Sequence, residues 1–110
     1  MDRNAEPLAC RLDALDAGAR RRHAALVEEI AREVAESSEV PDGIEVRFPA
    51  RPYLFLRISE WVELERACCP FLEIAVSFDS GAKQIRVRVT GPPGARELLA
   101  AELPRLAMRA

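Results

Sequence analysis

The segment FLEIAVSFDSGAKQIRVRVT, residues 71–90, predicts a β-hairpin. On each side of the central Asp79-Ser80-Gly81, apolar side chains alternate with polar or small ones, and a period of two residues is typical of strands with one buried face. Asp, Ser and Gly are residues that turns favour. The chain therefore reverses here, and the apolar face of the hairpin needs a layer that covers it.

A further strand and a helix are predicted before the hairpin. The segment IEVRFP, residues 44–49, has the same alternation, and Pro49 closes it because proline cannot donate a hydrogen bond to a neighbouring strand. The segment RPYLFLRISEWVELERACC, residues 51–69, has the length of a helix, and Pro52 suits a first helical turn. One stripe at helical spacing consists of Leu54, Ile58, Trp61, Glu65 and Cys68.

Helices are also predicted towards both ends of the chain. Residues 16–40 place apolar side chains at helical spacing, with Asp13 or Asp16 as the cap and Ser37-Ser38 as the stop. Residues 91–110 predict a helix that begins near Pro93 and is interrupted before Pro104. The face of the first helix consists of His23, Leu26, Val27, Ile30 and Val34.

The elements follow one another in the order α-β-α-β-β-α, which predicts an α+β fold. Because each strand has one apolar and one polar face, we expect a two-layer sandwich with a three-stranded, mostly antiparallel sheet and helices on one face. We expect a single domain over residues 1–110, with residues 1–9 as a flexible N-terminus. The polar sheet face is either hydrated or the contact of a homodimer, and it carries Arg47, Glu73, Arg86 and Arg88.

Charge and hydropathy argue against two classes of partner. A formal net charge of −2 is unlike the basic surface of a dedicated nucleic-acid-binding protein. The one basic cluster, residues 20–22, is best explained as a solvated helix face that pairs with nearby glutamates. No apolar run approaches the roughly 18 residues that a membrane-spanning helix needs. We therefore expect neither nucleic acid nor membrane as a partner.

The N-terminus and the cysteine count predict a reducing compartment. The segment MDRNAEPLAC has neither the cationic start nor the apolar stretch of a secretory signal. Arginine supplies nearly all the basic residues, with Lys83 as the only lysine, which suggests a GC-rich bacterial genome. We therefore place the protein in a bacterial cytoplasm with reduced thiols, and a disulfide framework is the least favoured use of its three cysteines.

The segment ERACCPFL, residues 65–72, holds two of those cysteines side by side. Pro70 disfavours the helical conformation at Cys69, so Cys68 should occupy the last helical turn and Cys69 the exit. Side chains of adjacent residues diverge by about 100° in a continuing helix. A chain that leaves the helix can instead turn both sulfur atoms towards one point.

Four roles are open to the pair. It can pack as small apolar side chains. It can react in redox chemistry, but the helix C-terminus and Glu65 disfavour a thiolate and the C-x-x-C spacing is absent. It can join Cys10 and His23 around zinc, although the usual paired spacing of zinc ligands is missing. It can bind a soft ion such as Hg(II), As(III) or Cu(I), since such ions accept two or three thiolates.

The chain also resembles a family of small bacterial proteins with an E-R-x-C-C-P-F signature. The resemblance rests on residues 65–72, on PDG at 41–43 before a strand, on TGPPGA at 90–95 and on Cys10-Arg11-Leu12. It extends from about Cys10 to Leu99 and implies an association with heavy-metal resistance. It also implies that Cys10, Cys68 and Cys69 act as one group.

We therefore predict a protein that binds or sequesters a soft metal or metalloid ion rather than an enzyme. Cys10, Cys68 and Cys69 are the predicted ligands, and Glu65 is a supporting group beside them or a helper for proton release. His23 is expected to be a core histidine with a satisfied hydrogen bond. The alternatives are an interaction or assembly module whose cysteines only pack, and, less favoured, a thiol-dependent enzyme.

Overall fold

A computed structural model describes residues 10–107, apart from the side chains of Leu12, Arg105 and Ala107. The predicted flexible segment, residues 1–9, lies outside the described residues. A short 3-10 turn at Leu12–Ala14 precedes the regular elements. These are α1 (Ala17–Ala31), β1 (Glu36–Val40), β2 (Gly43–Pro49), α2 (Leu54–Cys68), β3 (Glu73–Asp79), β4 (Gln84–Thr90), α3 (Ala95–Glu102) and α4 (Pro104–Ala107).

The four strands form one antiparallel sheet in the order β1-β2-β4-β3. The predicted hairpin is β3-β4, in which Val76 lies opposite Val87. β2 pairs with the other side of β4, with Val46 opposite Val87. The predicted α+β class is therefore confirmed, whereas the three-stranded sheet and the element order α-β-α-β-β-α are wrong because they omit β1.

β1 was missed because its sequence, ESSEV, lacks an apolar alternation. Most of its side chains are exposed at the edge of the sheet. An edge strand is held by backbone hydrogen bonds to one neighbouring strand and does not require a buried apolar face. Pairing with β2 supplies this neighbour through a two-residue connection at Pro41-Asp42, with Val40 opposite Gly43. Asp42 adopts a positive φ of 63°, a conformation that Asp tolerates better than most residues.

The helices agree with the sequence pattern in their main features. The buried residues of α2 are the five of the predicted stripe, and the helix ends at Cys68 as expected. Pro52 lies two residues before this helix instead of in its first turn. Asp16 caps α1 by accepting a hydrogen bond from the Ala19 N–H at 2.7 Å, but α1 ends at Ala31 and so excludes Val34.

The helical layer packs on one face of the sheet. Ile30 of α1, Ile58 and Trp61 of α2, and Leu106 of α4 surround a small internal space together with side chains of β2 and β4. Those strand side chains are Ile44, Val46, Phe48, Val87 and Val89. The predicted arrangement of helices over the apolar sheet face is therefore present. α3 and α4 are separated at Leu103, as the proline at 104 predicts.

The opposite face of the sheet is organised by a buried carboxylate. Glu45 is only 6% exposed and lies 3.0 Å from Arg47 and 3.1 Å from Arg88. Burial raises the pKa of Glu45, but hydrogen bonds from Arg88 and Arg47 outweigh burial and leave the pKa below its usual value. The polar face predicted from the arginines is thus an ion-pair network centred on a glutamate.

We expect Gly43→Ala to destabilise the protein by about 1–3 kcal/mol, the usual cost of overpacking a close contact. A Cβ atom at this position would collide with the Val89 carbonyl and with Thr90 of β4, and these backbone atoms cannot move without disturbing the sheet. Urea unfolding measures the loss. Gly81→Ala is the matched control, because its Cβ atom meets only the Asp79 Oδ1 atom at 3.6 Å, and an equal loss in both variants would contradict the explanation.

Candidate metal centre

The C-terminus of α2 determines where the adjacent cysteines point. Cys68 is the last residue of α2, and Cys69 leaves the helix with φ −129° and ψ 68°. The Cys69 N–H still donates to the Glu65 carbonyl at 2.7 Å, so the exit is tightly held. Both sulfur atoms consequently face the same region, 3.7 Å apart, as the sequence predicts for a helix that ends at this position.

The N-terminal segment, by which we mean residues 10–14, is held against this helix end by a backbone hydrogen bond. The Arg11 N–H donates to the Cys68 carbonyl at 2.7 Å, and this carbonyl is one of the last four of a helix, which have no partner within it. Cys10 precedes Arg11 and is thereby brought to the two sulfur atoms of α2. The third cysteine therefore joins the pair across more than fifty residues of sequence.

The three sulfur atoms and a carboxylate oxygen of Glu65 form one compact group. All four ligand atoms lie within 4.8 Å of one another. Within this group Cys10 and Cys69 form a disulfide bond, and Cys68 is a free, buried thiol. The expectation of three reduced thiols is therefore wrong for this structure, because the backbone bond at Arg11 brings the Cys10 and Cys69 sulfur atoms within bonding distance.

Glu65 connects the sulfur atoms to a histidine. Glu65 is only 1% exposed, and its Oε1 atom lies 2.7 Å from His23 Nε2. Its Oε2 atom lies 3.2 Å from the Cys69 sulfur and 3.9 Å from the Cys10 sulfur. A disulfide sulfur has no hydrogen to donate, so Oε2 receives a thiol hydrogen bond from Cys69 only when the disulfide is reduced.

Cys68 is a poorly ionised thiol. Burial and the nearby Glu65 carboxylate raise the pKa of Cys68 to about 11, and Glu102 adds to this effect. Its sulfur lies 3.5 Å from the Glu65 main-chain carbonyl, to which it donates. This environment agrees with the sequence argument that the helix C-terminus disfavours a spontaneous thiolate.

A cavity of about 300 Å³ opens beside the group. Cys10 and Cys68 reach it, whereas Cys69 does not. The other lining residues come from α1, from α2 and from the junction of α3 and α4, and they are His23, Ala24, Val27, Glu28, Glu65, Glu102 and Leu103. The cavity is therefore lined by Cys10 and Cys68, of which Cys68 carries a free thiol in this structure.

The structure brings together all four residues that the sequence nominates for the site. Glu65 lies closer to the sulfur atoms than a supporting group needs to, since its oxygen belongs to the potential ligand set. His23 has its expected hydrogen bond, and the partner is Glu65. Sequence reasoning missed Glu28 and Glu102, because nothing in their local sequence indicates the cavity that they share.

Comparison of the chain with protein families, curated proteins and solved structures finds no match. The resemblance to the E-R-x-C-C-P-F family therefore stays a prediction. Among the described residues, no helix is both long enough and apolar enough to cross a membrane. The geometry of this group is consequently the guide to function.

We expect Cys10→Ser to lower the free energy of unfolding by about 4 kcal/mol under oxidising conditions. The disulfide links residues 59 positions apart and so restricts the conformations of the unfolded chain, and the variant loses this restriction. Urea unfolding with and without a reductant measures this effect. With a reductant present, the variant and the parent protein should agree to within about 1 kcal/mol. An equally large loss under reducing conditions would mean that Cys10 stabilises the fold by packing.

Alkylation of Cys68 in the oxidised protein should depend strongly on pH. Because its pKa is raised to about 11, the thiolate fraction and the native rate with iodoacetamide should increase about tenfold per pH unit from pH 7 towards that value. In urea the midpoint of the curve of rate against pH should fall to the ordinary thiol pKa of about 9.0.

The same difference in pKa affects stability. Between pH 9.0 and about 11 the thiol ionises in the unfolded state but stays neutral in the folded state, so the free energy of unfolding should decrease as the pH rises through this interval.

Proposed function

We propose that this protein captures a soft metal or metalloid ion, Hg(II), As(III) or Cu(I), through the thiolates of Cys10, Cys68 and Cys69. The observation that carries the proposal is the convergence of three sulfur atoms and one carboxylate oxygen within 4.8 Å. Thiolates select soft ions over hard ones. The proposed role is binding and sequestration, in the reducing cytoplasm of a bacterium exposed to such ions.

The sulfur spacing supports shared coordination of one ion. A bond of about 2.3 Å, the length of a zinc–sulfur bond, places two thiolates about 3.8 Å apart on a tetrahedral ion and about 4.0 Å apart on a trigonal one. Cys68 and Cys69 already have a sulfur separation of 3.7 Å. These two residues therefore need little movement to hold an ion together.

Capture by all three cysteines requires the reduced protein. A cellular low-molecular-weight thiol reduces the Cys10–Cys69 disulfide by exchange: two of its molecules supply two electrons and two protons, become their own disulfide, and leave Cys10 and Cys69 as thiols. Metal binding then displaces the thiol protons. The Cys10 sulfur must move away from Cys69 to share an ion with it, and its place in the N-terminal segment before Leu12–Ala14 allows this more readily than a place within a helix. In the disulfide form, two of the three sulfur atoms are bonded to each other and cannot bind an ion.

Glu65 supports the proposal in a second way. Its Oε2 atom is close enough to accept the proton that Cys69 loses, at 3.2 Å, and His23 at 2.7 Å holds the carboxylate in that orientation. A buried carboxylate is costly unless it is paired. The His23 contact offsets this cost, so the acid can remain beside the sulfur atoms.

Zinc is a weaker candidate than the soft ions. The zinc ligand set considered from sequence included His23, but the Nε2 atom of this residue is engaged with Glu65. His23 is also not part of the group whose ligand atoms converge. The three thiolates alone can hold an ion that needs two or three sulfur atoms, whereas zinc would also need the Glu65 carboxylate as its fourth ligand.

The main alternative is an interaction module in which the cysteines are structural. Cys68 and Cys69 are only 1% and 0% exposed, and the disulfide ties the N-terminal segment to α2. An exposed apolar group at the start of α2 and the end of β3 offers such a module a contact surface. It consists of Tyr53, Phe55, Leu56 and Phe78.

Anaerobic titration of the reduced protein separates the two functions. We expect stoichiometric binding of Hg(II), As(III) or Cu(I), followed by thiolate-to-metal absorption, and much weaker retention of Zn(II). Cys68→Ser and Cys69→Ser should each lower the affinity by at least about 100-fold, because each removes one of the two sulfur atoms already spaced for an ion. Cys10→Ser should lower it less, since two sulfur atoms remain in place.

Glu63→Gln is a matched control, because Glu63 lies on the exposed side of α2 and pairs with Arg66. This variant should bind like the parent protein. If the reduced parent protein binds none of the four ions, or if its thiols react only after denaturation, metal capture is excluded and the structural role is favoured.

A further inference from the structure

We propose that the ion captured at this site carries one organic group, as in an alkyl- or arylmercury cation, R–Hg⁺. This inference rests on the proposed function and specifies its cargo. The sulfur atoms would bind mercury, and the cavity beside Cys68 would receive the organic group. Four properties of that cavity suit such a cargo: its position, its size, its walls and its charge.

The position of the cavity places an organic substituent directly beside the ligands. Cys10 and Cys68 belong to its lining, and Glu65 completes the same wall. Cys69 lies behind them and is fully buried. An ion that enters through the cavity thus meets Cys68 and Cys10 first, and any group attached to it remains on the cavity side.

The size of the cavity exceeds what a bare ion needs. Its volume of about 300 Å³ is at the lower end of the range of about 300–1,000 Å³ that small-molecule pockets occupy. A methyl, ethyl or phenyl group attached to mercury would fill part of this volume.

The walls favour a carbon substituent over water. Ala24 and Val27 of α1 and Leu103, which precedes α4, supply apolar surface to the cavity. Filling that surface with an organic group removes apolar area from water, which is worth roughly a fourfold gain in affinity for each buried methylene-sized unit. A bare ion gains nothing from these side chains.

The charge of the lining favours a cation. Glu65 and Glu102 line the cavity, and His23 is the one basic side chain among the described residues of the lining. The R–Hg⁺ unit combines a cationic metal centre with an apolar group, which matches both properties of the cavity.

Competition binding with the reduced protein tests this proposal. Methylmercury, phenylmercury, phenylarsine oxide and Hg(II) are each partitioned between the protein and a small monothiol, and bound metal is measured by mass spectrometry. Reference to the monothiol removes the intrinsic affinity of each compound for sulfur. We expect phenylmercury to gain at least about tenfold over methylmercury, since a phenyl group buries several methylene-sized units more.

Val27→Phe fills the cavity from α1 and should reduce this phenyl preference at least threefold. Val40→Phe is the matched control, because Val40 is a half-buried residue of the edge strand β1 and does not line the cavity. It should retain the preference of the parent protein. Circular dichroism verifies that both variants fold, and the measurement on the parent protein decides the question if Val27→Phe does not.

The possible results test the organic cargo separately from metal capture. Tight binding of Hg(II) without any phenyl preference in the parent protein overturns the organic cargo and leaves metal capture intact. A larger gain for phenylarsine oxide than for phenylmercury overturns the cationic cargo. Failure to bind any of these compounds overturns the metal function together with this inference.

Discussion

The end of α2 at Cys68 is the constraint on which the site depends. Pro70 prevents the helix from continuing through Cys69, and this leaves the Cys68 carbonyl without a partner in its own helix. The Arg11 N–H fills that position at 2.7 Å and brings Cys10 with it. One helix end thus both turns the adjacent sulfur atoms together and recruits the third from the N-terminal segment.

The buried acid Glu65 disfavours ionisation of the neighbouring thiol when no ion is bound. Burial and, next to it, the Glu65 carboxylate raise the pKa of Cys68 to about 11, so the free thiol is a weak nucleophile at neutral pH. A soft cation reverses this situation, because it replaces the thiol proton and brings a positive charge towards the carboxylate. The same residues that oppose redox reactivity therefore favour the binding of a cation.

The sequence predicted much of the fold where burial imposes a periodic pattern. The stripe of α2 and the hairpin of residues 71–90 could be recognised because one face of each packs against the other layer. β1 could not be recognised, because an exposed edge strand is stabilised by backbone pairing with β2 rather than by apolar side chains. The same limit applies to Glu45, whose burial depends on arginines from neighbouring positions in the sheet.

The amino-acid sequence by itself determined that two cysteines lie at a helix exit and that Glu65 shares their side of the helix, since Pro70 and helical spacing act locally. Only the tertiary structure decided that Cys10 reaches them, that it bonds to Cys69, and that a partly apolar cavity opens beside Cys68. These features need contacts between residues distant in sequence. Such contacts depend on how the helices pack over the sheet, and no short stretch of sequence contains that information.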